Sequence, residues 1–332
     1  MNFIKEIGID LGTSNTIITG KNREILLSEP TVAAVDENTG KLVAVGMEAK
    51  EMLGRTPTGL VAVCPIKEGV IANFNITVAM LKAFIRRATK SPLFKPRAVV
   101  CIPSLITEVE KRAVKEATLA AGAKEVFLLE SPMAAAIGSG IEVNRPYGSM
   151  VVDVGGGITE IAVVSLGGIV QSASLKIAGN VFDENIVAYI KKKSNLNIGE
   201  ITAEDVKKKI GAVYPLKEEL ETSVRGRDIV TGLPKDVTIT SVEIREALKD
   251  CLEQILDGVK SVLEKTPPEL AADIFDSGIV LSGGGATLMG LGKLIEKITE
   301  IPVYIAESPM ESVAFGASKA LDEIDTMRAL MS

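Results

Sequence analysis

Two aspartates stand at equivalent points of two similar stretches of this chain. Asp10 follows the apolar run Ile7-Gly8-Ile9 and leads into Gly12-Thr13-Ser14-Asn15, while Asp153 follows Met150-Val151-Val152 and leads into Gly155-Gly156-Gly157. A third turn, Gly283-Gly284-Gly285-Ala286, follows another apolar run, Ile279-Val280-Leu281, with Ser282 between them. Turns so poor in side chains leave backbone N–H groups free to converge on phosphate oxygens, and glycine allows the close approach and positive φ that such a nest needs. An aspartate at the strand end ahead of the turn is a natural ligand, direct or through water, for Mg²⁺ bridging those phosphates. A single glycine run would make only a hairpin; three of them, two led by Asp, point to a phosphate site. No G-x-x-x-x-G-K-[ST] occurs, and no strand-linked G-x-G-x-x-G with a downstream acid, so neither a P-loop nor a dinucleotide fingerprint is present.

Composition narrows the chemistry further. The 332 residues include no histidine, which removes Ser-His-Asp hydrolysis, Cys-His proteolysis and His-based zinc sites together. A net charge of −6, from 37 basic and 43 acidic residues, argues against nucleic acid as the main partner. Cys64, Cys101 and Cys251 lie far apart with apolar neighbours and form no C-x-x-C, so they read as core residues of a protein from a reducing compartment. The N-terminus lacks the pattern of a signal peptide, and no stretch approaches the roughly 18 apolar residues of a transmembrane helix. Mean hydropathy is high for a soluble protein, which reserves some apolar surface for partners or lipid.

The elements that must position these turns alternate between strands and helices. Strands are predicted at 7–9 and 16–19, over 25–35 and 41–45, at 97–102 and 125–129, and again at 150–152 and 159–164. Thr107 with Glu110, and Thr240 with Glu243, form capping boxes that open helices; the second helix carries Ile244, Leu248, Leu252, Ile255, Val259 and Val262 along one face and ends at Pro267-Pro268. Helices are also predicted at 76–90, from Pro132, at 180–193, 202–212, 288–298 and 312–321, with strands near 225–230, 236–240, 277–281 and 302–305. The repeated apolar-Asp-turn-strand plan indicates a duplicated α/β unit with a cleft between the copies, decorated by insertions at about 31–73 and 179–239.

These residues resemble the actin and heat-shock chaperone ATPase superfamily, and more closely the MreB family of bacterial actins. The resemblance runs from Ile9-Asp10-Leu11-Gly12-Thr13-Ser14-Asn15-Thr16 through Glu29-Pro30-Thr31-Val32, Met52-Leu53-Gly54-Arg55-Thr56-Pro57 and Pro132-Met133-Ala134-Ala135-Ala136-Ile137-Gly138. It continues through Val152-Asp153-Val154-Gly155-Gly156-Gly157, Lys265-Thr266-Pro267-Pro268-Glu269-Leu270 and Leu281-Ser282-Gly283-Gly284-Gly285-Ala286. It implies an actin-like α/β fold in which two duplicated RNase H-like lobes surround a nucleotide cleft, each lobe with a smaller inserted subdomain. Residues 1–30, 74–148 and 310–332 would form the core of lobe I, with 31–73 as its small subdomain; 149–178 and 240–309 would form the core of lobe II, with 179–239 as its small subdomain. It also implies ATP or ADP with Mg²⁺ in the cleft, polymerisation into filaments under the membrane, and a part in organising cell shape.

Carried over by position, the three turns hold phosphates, Asp10 and Asp153 serve the metal, and the adenosine end meets Lys209, Gly211 and Ala212 together with Gly284, Gly285 and Ala286. Lys209 stands where the family usually has Glu, and a solvated basic face is the plainer account of Lys207 and Lys208. Two further departures concern hydrolysis. Ser131 stands where the family has a water-positioning carboxylate, and Ile158 where it has a threonine. A serine without an activating partner is no general base at neutral pH, and isoleucine offers no hydrogen bond. Glu130 and Thr159 have suitable chemistry in the adjacent register, with Glu130 the first substitute to consider. The expectation is intact binding with slow hydrolysis.

Leu93 and Phe94 sit between two prolines, flanked by Arg86, Arg87, Lys90, Lys95 and Arg97. An apolar tip with a basic collar suits an anionic leaflet, and the resemblance implies a membrane-binding loop there; the alternative is that both residues cap the core. The whole reads as a cytoplasmic, peripherally membrane-associated protein. Its partners would be copies of itself, the inner leaflet of the cytoplasmic membrane, and possible actin paralogues and cell-shape membrane proteins, with no nucleic acid. Two other readings stay open: a non-polymerising ATPase switch of the same superfold, and a filament paralogue that binds nucleotide with negligible hydrolysis.

Overall fold

Each half of the chain builds the same five-stranded sheet. In a computed structural model of the protein, which describes residues 4–90 and 95–322, the first sheet runs Glu125–Glu130, Arg97–Ile102, Glu6–Leu11, Asn15–Thr19, Ile25–Pro30. The second runs Val303–Ile305, Ile279–Ser282, Ser149–Val154, Thr159–Ser165, Gly168–Leu175. In both, the first three strands form an antiparallel meander and the last two return parallel to the first. The duplication legible in the two Asp-led turns is therefore a duplication of topology.

Side-chain alternation decides which way each strand faces. Ala98 and Val100 join Ile7, Ile9, Met80, Leu81 and Phe84 in the core of the first lobe, where the helices Phe74–Thr89 and Glu108–Ala120 pack. Their neighbours Val99 and Cys101 join a different cluster with Val151, Ala162, Val164, Ala134 and Ala317. Met150 and Val152 face a third core built on Ile244, Leu248, Leu252, Ile255 and Val259 of the long helix Ser241–Lys265. Both faces of each sheet are covered, which is why the central strands read as unbroken apolar runs. Each fully buried Ile, Leu or Phe contributes about 1.5–3 kcal/mol.

The middle cluster joins the lobes through two exchanged helices. Ser131–Gly138, which follows the last strand of the first sheet, packs on strands Ser149–Val154 and Thr159–Ser165 of the second. Ser312–Asp322, which follows the last strand of the second sheet, packs on Glu6–Leu11 and Arg97–Ile102 of the first. The two helices cross backbone to backbone: a Cβ on Gly138 would overlap the carbonyl of Ser312, and one on Gly316 that of Ala134. Small residues are obligatory at that crossing, which gives the run Ala134-Ala135-Ala136 its structural purpose.

Both capping boxes form as the sequence predicts, with Thr107 and Thr240 each bonded reciprocally to Glu110 and Glu243. Pro268 does more than end the long helix, because it starts another, Pro268–Ser277, as a proline in the first turn can. Small three-stranded sheets fill the stretches 31–73 and 179–239: Ala33–Asp36 between Leu42–Val45 and Leu60–Val63, and Glu221–Asp228 between Leu196–Asn197 and Pro234–Thr240. Among the described residues no helix is long and apolar enough to cross a membrane, and the three cysteines are unpaired.

Candidate nucleotide cleft

A cavity of about 410 Å³ opens between the lobes, within the range of small-molecule sites. It is lined by all three turns: Gly12 to Asn15, Gly155 to Gly157 and Gly283 to Gly285. The first two turns touch, since a Cβ on Gly156 would overlap the Ser14 hydroxyl and one on Gly157 the Thr13 hydroxyl. Thr13 Oγ1 also accepts from the backbone N–H of Gly69 at 3.0 Å, and Ser14 Oγ donates to Asn180 Oδ1 at 3.3 Å. Ser14 thus bonds across to the second half of the chain, while Thr13 bonds within the first.

Asp10 and Asp153 stand at matching places in the two sheets, opposite Cys101 and Ser282 in the parallel register. Both line the cavity. Burial, then the charge of Asp153, pushes the Asp10 carboxyl up to about 7. Burial raises Asp153 to about 6, opposed by the hydrogen bond that Ser282 Oγ donates to its Oδ1 at 2.7 Å. Glu160, cross-strand partner of Asp153, is raised to about 8, first by burial, against hydrogen bonds from Ser104. Among the described residues no Lys or Arg forms an ion pair with any of these three. Buried carboxylates without a basic partner fit a bound cation, whose charge would reverse the shifts. Among the described residues no three Cys, Asp or Glu groups form a ready-made metal cage. An ion held by Asp10 and Asp153 would complete its shell with water and phosphate oxygens, as Mg²⁺ commonly does.

Ser131 and Ile158, the two positions the sequence assigns to hydrolysis, both line the cavity. Glu130 is half-buried, its carboxyl raised by burial with Lys111 partly offsetting, and it does not line the cavity. Thr159 is fully buried and donates its hydroxyl to Ile177 O at 2.6 Å. The residue that shares the cleft with Ile158 is Glu160, two positions on. No motif singles out Glu160, although positions two apart along a strand share a face, which is the signal that points to it.

Where the sequence places an adenosine, the cavity is lined by Gly211 and the segment Thr287 to Met289, stitched together by Val213 N–H to Met289 O at 2.8 Å and Met289 N–H to Gly211 O at 3.1 Å. Ala212 and Ala286 are buried behind it and do not line the cavity. Lys209 is exposed on the helix Glu200–Ile210 and does not line the cavity, whereas Lys207 and Lys208 do. Lys207 departs from a solvated face: its Nζ donates to Asp183 Oδ2 at 2.7 Å and to Gly179 O at 2.8 Å, with only 15% of the side chain exposed. Lys50, on the short helix Met47–Met52, pairs at 2.9 Å with Glu204, which lines the cavity, and so ties the stretch 31–73 to the stretch 179–239. Burial alone would raise Glu204, but Lys208 and Lys50 bring it down to about 2.

Leu93 and Phe94 lie outside the described residues. Of the basic collar around them, Arg97 pairs with Glu6 and Arg87 with Glu29 at 3.4 Å, while Arg86, Lys90 and Lys95 make no ion pair among the described residues.

Two duplicated α/β lobes whose phosphate-type turns face each other across a cleft make an actin-like fold. The chain matches the MreB/Mbl protein family over residues 4–329. It is 51% identical over 326 residues to the cell shape-determining protein Mbl of Bacillus subtilis, covering 98% of both chains. It is 48% identical over 329 residues to the cell shape-determining protein MreB of Escherichia coli, covering 97% of this chain and 95% of that one. A crystal structure of MreB 5 of Spiroplasma citri bound to AMPPNP superposes with a TM-score of 0.93 over 98% of both chains at 37% identity, and the same protein bound to ADP gives 0.92. The chain belongs to the MreB/Mbl family.

Proposed function

We propose that this protein is an ATP-binding bacterial actin that polymerises into filaments along the cytoplasmic membrane and helps to organise cell shape, hydrolysing ATP slowly. The observation that carries the nucleotide assignment is the convergence of three side-chain-poor turns and two unpaired aspartates on one cavity. The nucleotide-bound forms of MreB 5 and the cell-shape names of Mbl and MreB support the same reading. Asp10 and Asp153 would hold Mg²⁺, which neutralises phosphate charge; Gly155 to Gly157 and Gly12 to Asn15 would offer backbone N–H groups to the phosphates. Filament formation and membrane attachment rest on the family resemblance, with Leu93 and Phe94 as the anchoring residues.

Slow hydrolysis follows from Ser131 and Ile158, both of which line the cavity and neither of which can take a proton from water. The same pair favours a second reading, a filament paralogue with negligible hydrolysis. Electron microscopy of the purified protein with ATP, with a non-hydrolysable analogue and without nucleotide tests assembly; absence of filaments in all three, with lipid present, contradicts it. For the membrane, each apolar side chain buried in lipid is worth about 1.5–3 kcal/mol and each nearby cation about 1 kcal/mol, so a protomer binds weakly and a filament tightly by avidity. Replacing Leu93 and Phe94 by Ser should therefore abolish co-sedimentation with anionic liposomes and leave ATP binding unchanged. A large loss of thermal stability instead would place both residues in the core.

A further inference from the structure

Just beyond the second glycine turn the wall of the cleft becomes apolar. The hairpin of Ile66–Lys67 and Val70–Ile71 turns through Glu68 and Gly69, both at positive φ, and brings Gly69 to the cavity. A Cβ on Gly69 would come within 2.8 Å of Pro103 Cγ and 2.9 Å of Ile158 Cδ1, too close for either to tolerate. The Pro103 ring and the tip of Ile158 therefore close on the bare backbone of the hairpin, and all three residues line the cavity. Two contacts fasten the hairpin tip: Gly69 N–H donates to Thr13 Oγ1 at 3.0 Å, and Glu68 pairs with Lys176 at 2.7 Å. Thr13 belongs to the first turn and Lys176 directly follows the strand Gly168–Leu175, so the tip is held by both halves of the chain.

The place of this contact gives it meaning. Ile158 directly follows Gly155 to Gly157, the turn that would hold phosphates, and it shares the cavity with Ser131. An isoleucine there can slow hydrolysis in two ways. It offers no hydrogen bond to a water, and its bulk takes the water's room. The packing favours the second, because Cδ1, the outermost carbon, is the atom that meets Gly69. Glu160, two positions further on, is 1% exposed, so solvent hardly reaches that face of the strand.

We infer that Ile158, closed against Pro103 and Gly69, keeps water out of line with the γ-phosphate of a bound nucleoside triphosphate, an inference that rests on the nucleotide reading of the cleft. An attacking water needs space on the side of the phosphorus opposite the β,γ-bridging oxygen. Misplacing a reactant by about 1 Å can cost about 10²-fold in rate. Slow hydrolysis is then a matter of side-chain volume as well as of missing polar groups, and the chain holds its nucleotide longer as the triphosphate.

The test uses a pair of nearly equal shape. Val and Thr both lack Cδ1 and differ in one hydroxyl. Single-turnover phosphate release at saturating ATP should rise at least about threefold in Ile158→Val, with Ile158→Thr at least matching it, and at least about tenfold in Ile158→Ala. None should reach the upper part of the 10²–10⁴-fold range of general-base assistance, because Ser131 still supplies no base. A binding measurement reads the same space without turnover. Beryllium fluoride on ADP fills the γ-phosphate position alone, whereas aluminium fluoride also needs an in-line water. By calorimetry, aluminium fluoride should tighten ADP binding at least about tenfold more in Ile158→Ala than in wild type, while beryllium fluoride tightens it equally in both. Val and Ala variants that release phosphate no faster than wild type overturn the inference, whether or not the Thr variant is faster. An equal gain from aluminium fluoride in wild type and Ile158→Ala also overturns it. A wild-type protein that binds neither ATP nor ADP overturns the nucleotide reading instead, and the same calorimetry separates the two failures.

Discussion

The two ends of the proposed triphosphate site differ in their chemistry. At the end that would grip the phosphates, Gly12 to Asn15, Gly155 to Gly157, Asp10 and Asp153 line one cavity, and the turns of the two lobes touch. At the end where water would attack, the cavity is lined by Ser131, which is no general base at neutral pH, and Ile158, which offers no hydrogen bond. On the proposed reading, binding and hydrolysis are separable in this chain. Gripping a nucleotide needs backbone N–H groups and a cation, which tolerate few substitutions, whereas hydrolysis depends on one or two side chains that can be lost without touching the grip.

The contrast breaks most easily at the grip. Gly156→Val should abolish ATP binding, because its Cβ would overlap the Ser14 hydroxyl and push the two turns apart; calorimetry should find no saturable heat, and wild-type heat would show that the turns do not hold phosphate. At the other end, Ser131→Glu combined with Ile158→Thr should raise phosphate release by at least about tenfold, bounded by the 10²–10⁴-fold typical of general-base assistance. ATP affinity should not move. An unchanged rate would contradict the reading that Ser131 and Ile158 limit hydrolysis.

A smaller effect sharpens the metal assignment. Asp153→Ala should weaken Mg·ATP binding by about tenfold, or about 1.4 kcal/mol, read by calorimetry. The nucleotide-free protein should respond in the opposite sense. Asp10, Asp153 and Glu160 sit at about 7, about 6 and about 8, above their unfolded values, so the folded chain keeps those protons longer than the unfolded one. Stability without nucleotide should fall as pH rises from about 4 to about 8 and then level off. Asp153→Asn should flatten part of that slope and melt higher at neutral pH; a slope of the opposite sign would contradict the unpaired-carboxylate account. The smallest effect belongs to the clasp at the cleft mouth. Lys50→Ala should speed nucleotide release by at most about fivefold, since partly exposed ion pairs contribute about 0.2–1 kcal/mol.

Much of this arrangement is legible in the sequence where local chemistry dictates it. The capping boxes at Thr107 and Thr240, the apolar run Arg97–Ile102 and the three glycine turns each carry their own signal, and each forms where it is read. Elements whose identity comes from packing are less legible. Gly168–Leu175, the third strand of the second sheet, is half-buried along most of its length and rich in Ser, Gly and Gln. The short helix Met47–Met52 and the helix Pro268–Ser277 follow a glycine and a proline pair that read as breaks. The exchange of the helices Ser131–Gly138 and Ser312–Asp322 between lobes cannot be read from chain order at all, although Gly138 and Gly316 mark the crossing. In the cleft, the turns and both aspartates were evident because they repeat. Glu160 and the Lys207–Asp183 pair were not, because a lone acid or lysine has no local pattern, and only the fold shows that its neighbours leave it buried.

The separation of grip from hydrolysis is tested most directly by measuring both on one preparation: Mg·ATP affinity by calorimetry, and phosphate release from the same saturated protein beside an MreB that carries the usual glutamate and threonine. The account predicts one saturable site per chain with affinity comparable to that relative, and release slower by at least about tenfold. Equal release rates at equal affinity would contradict it.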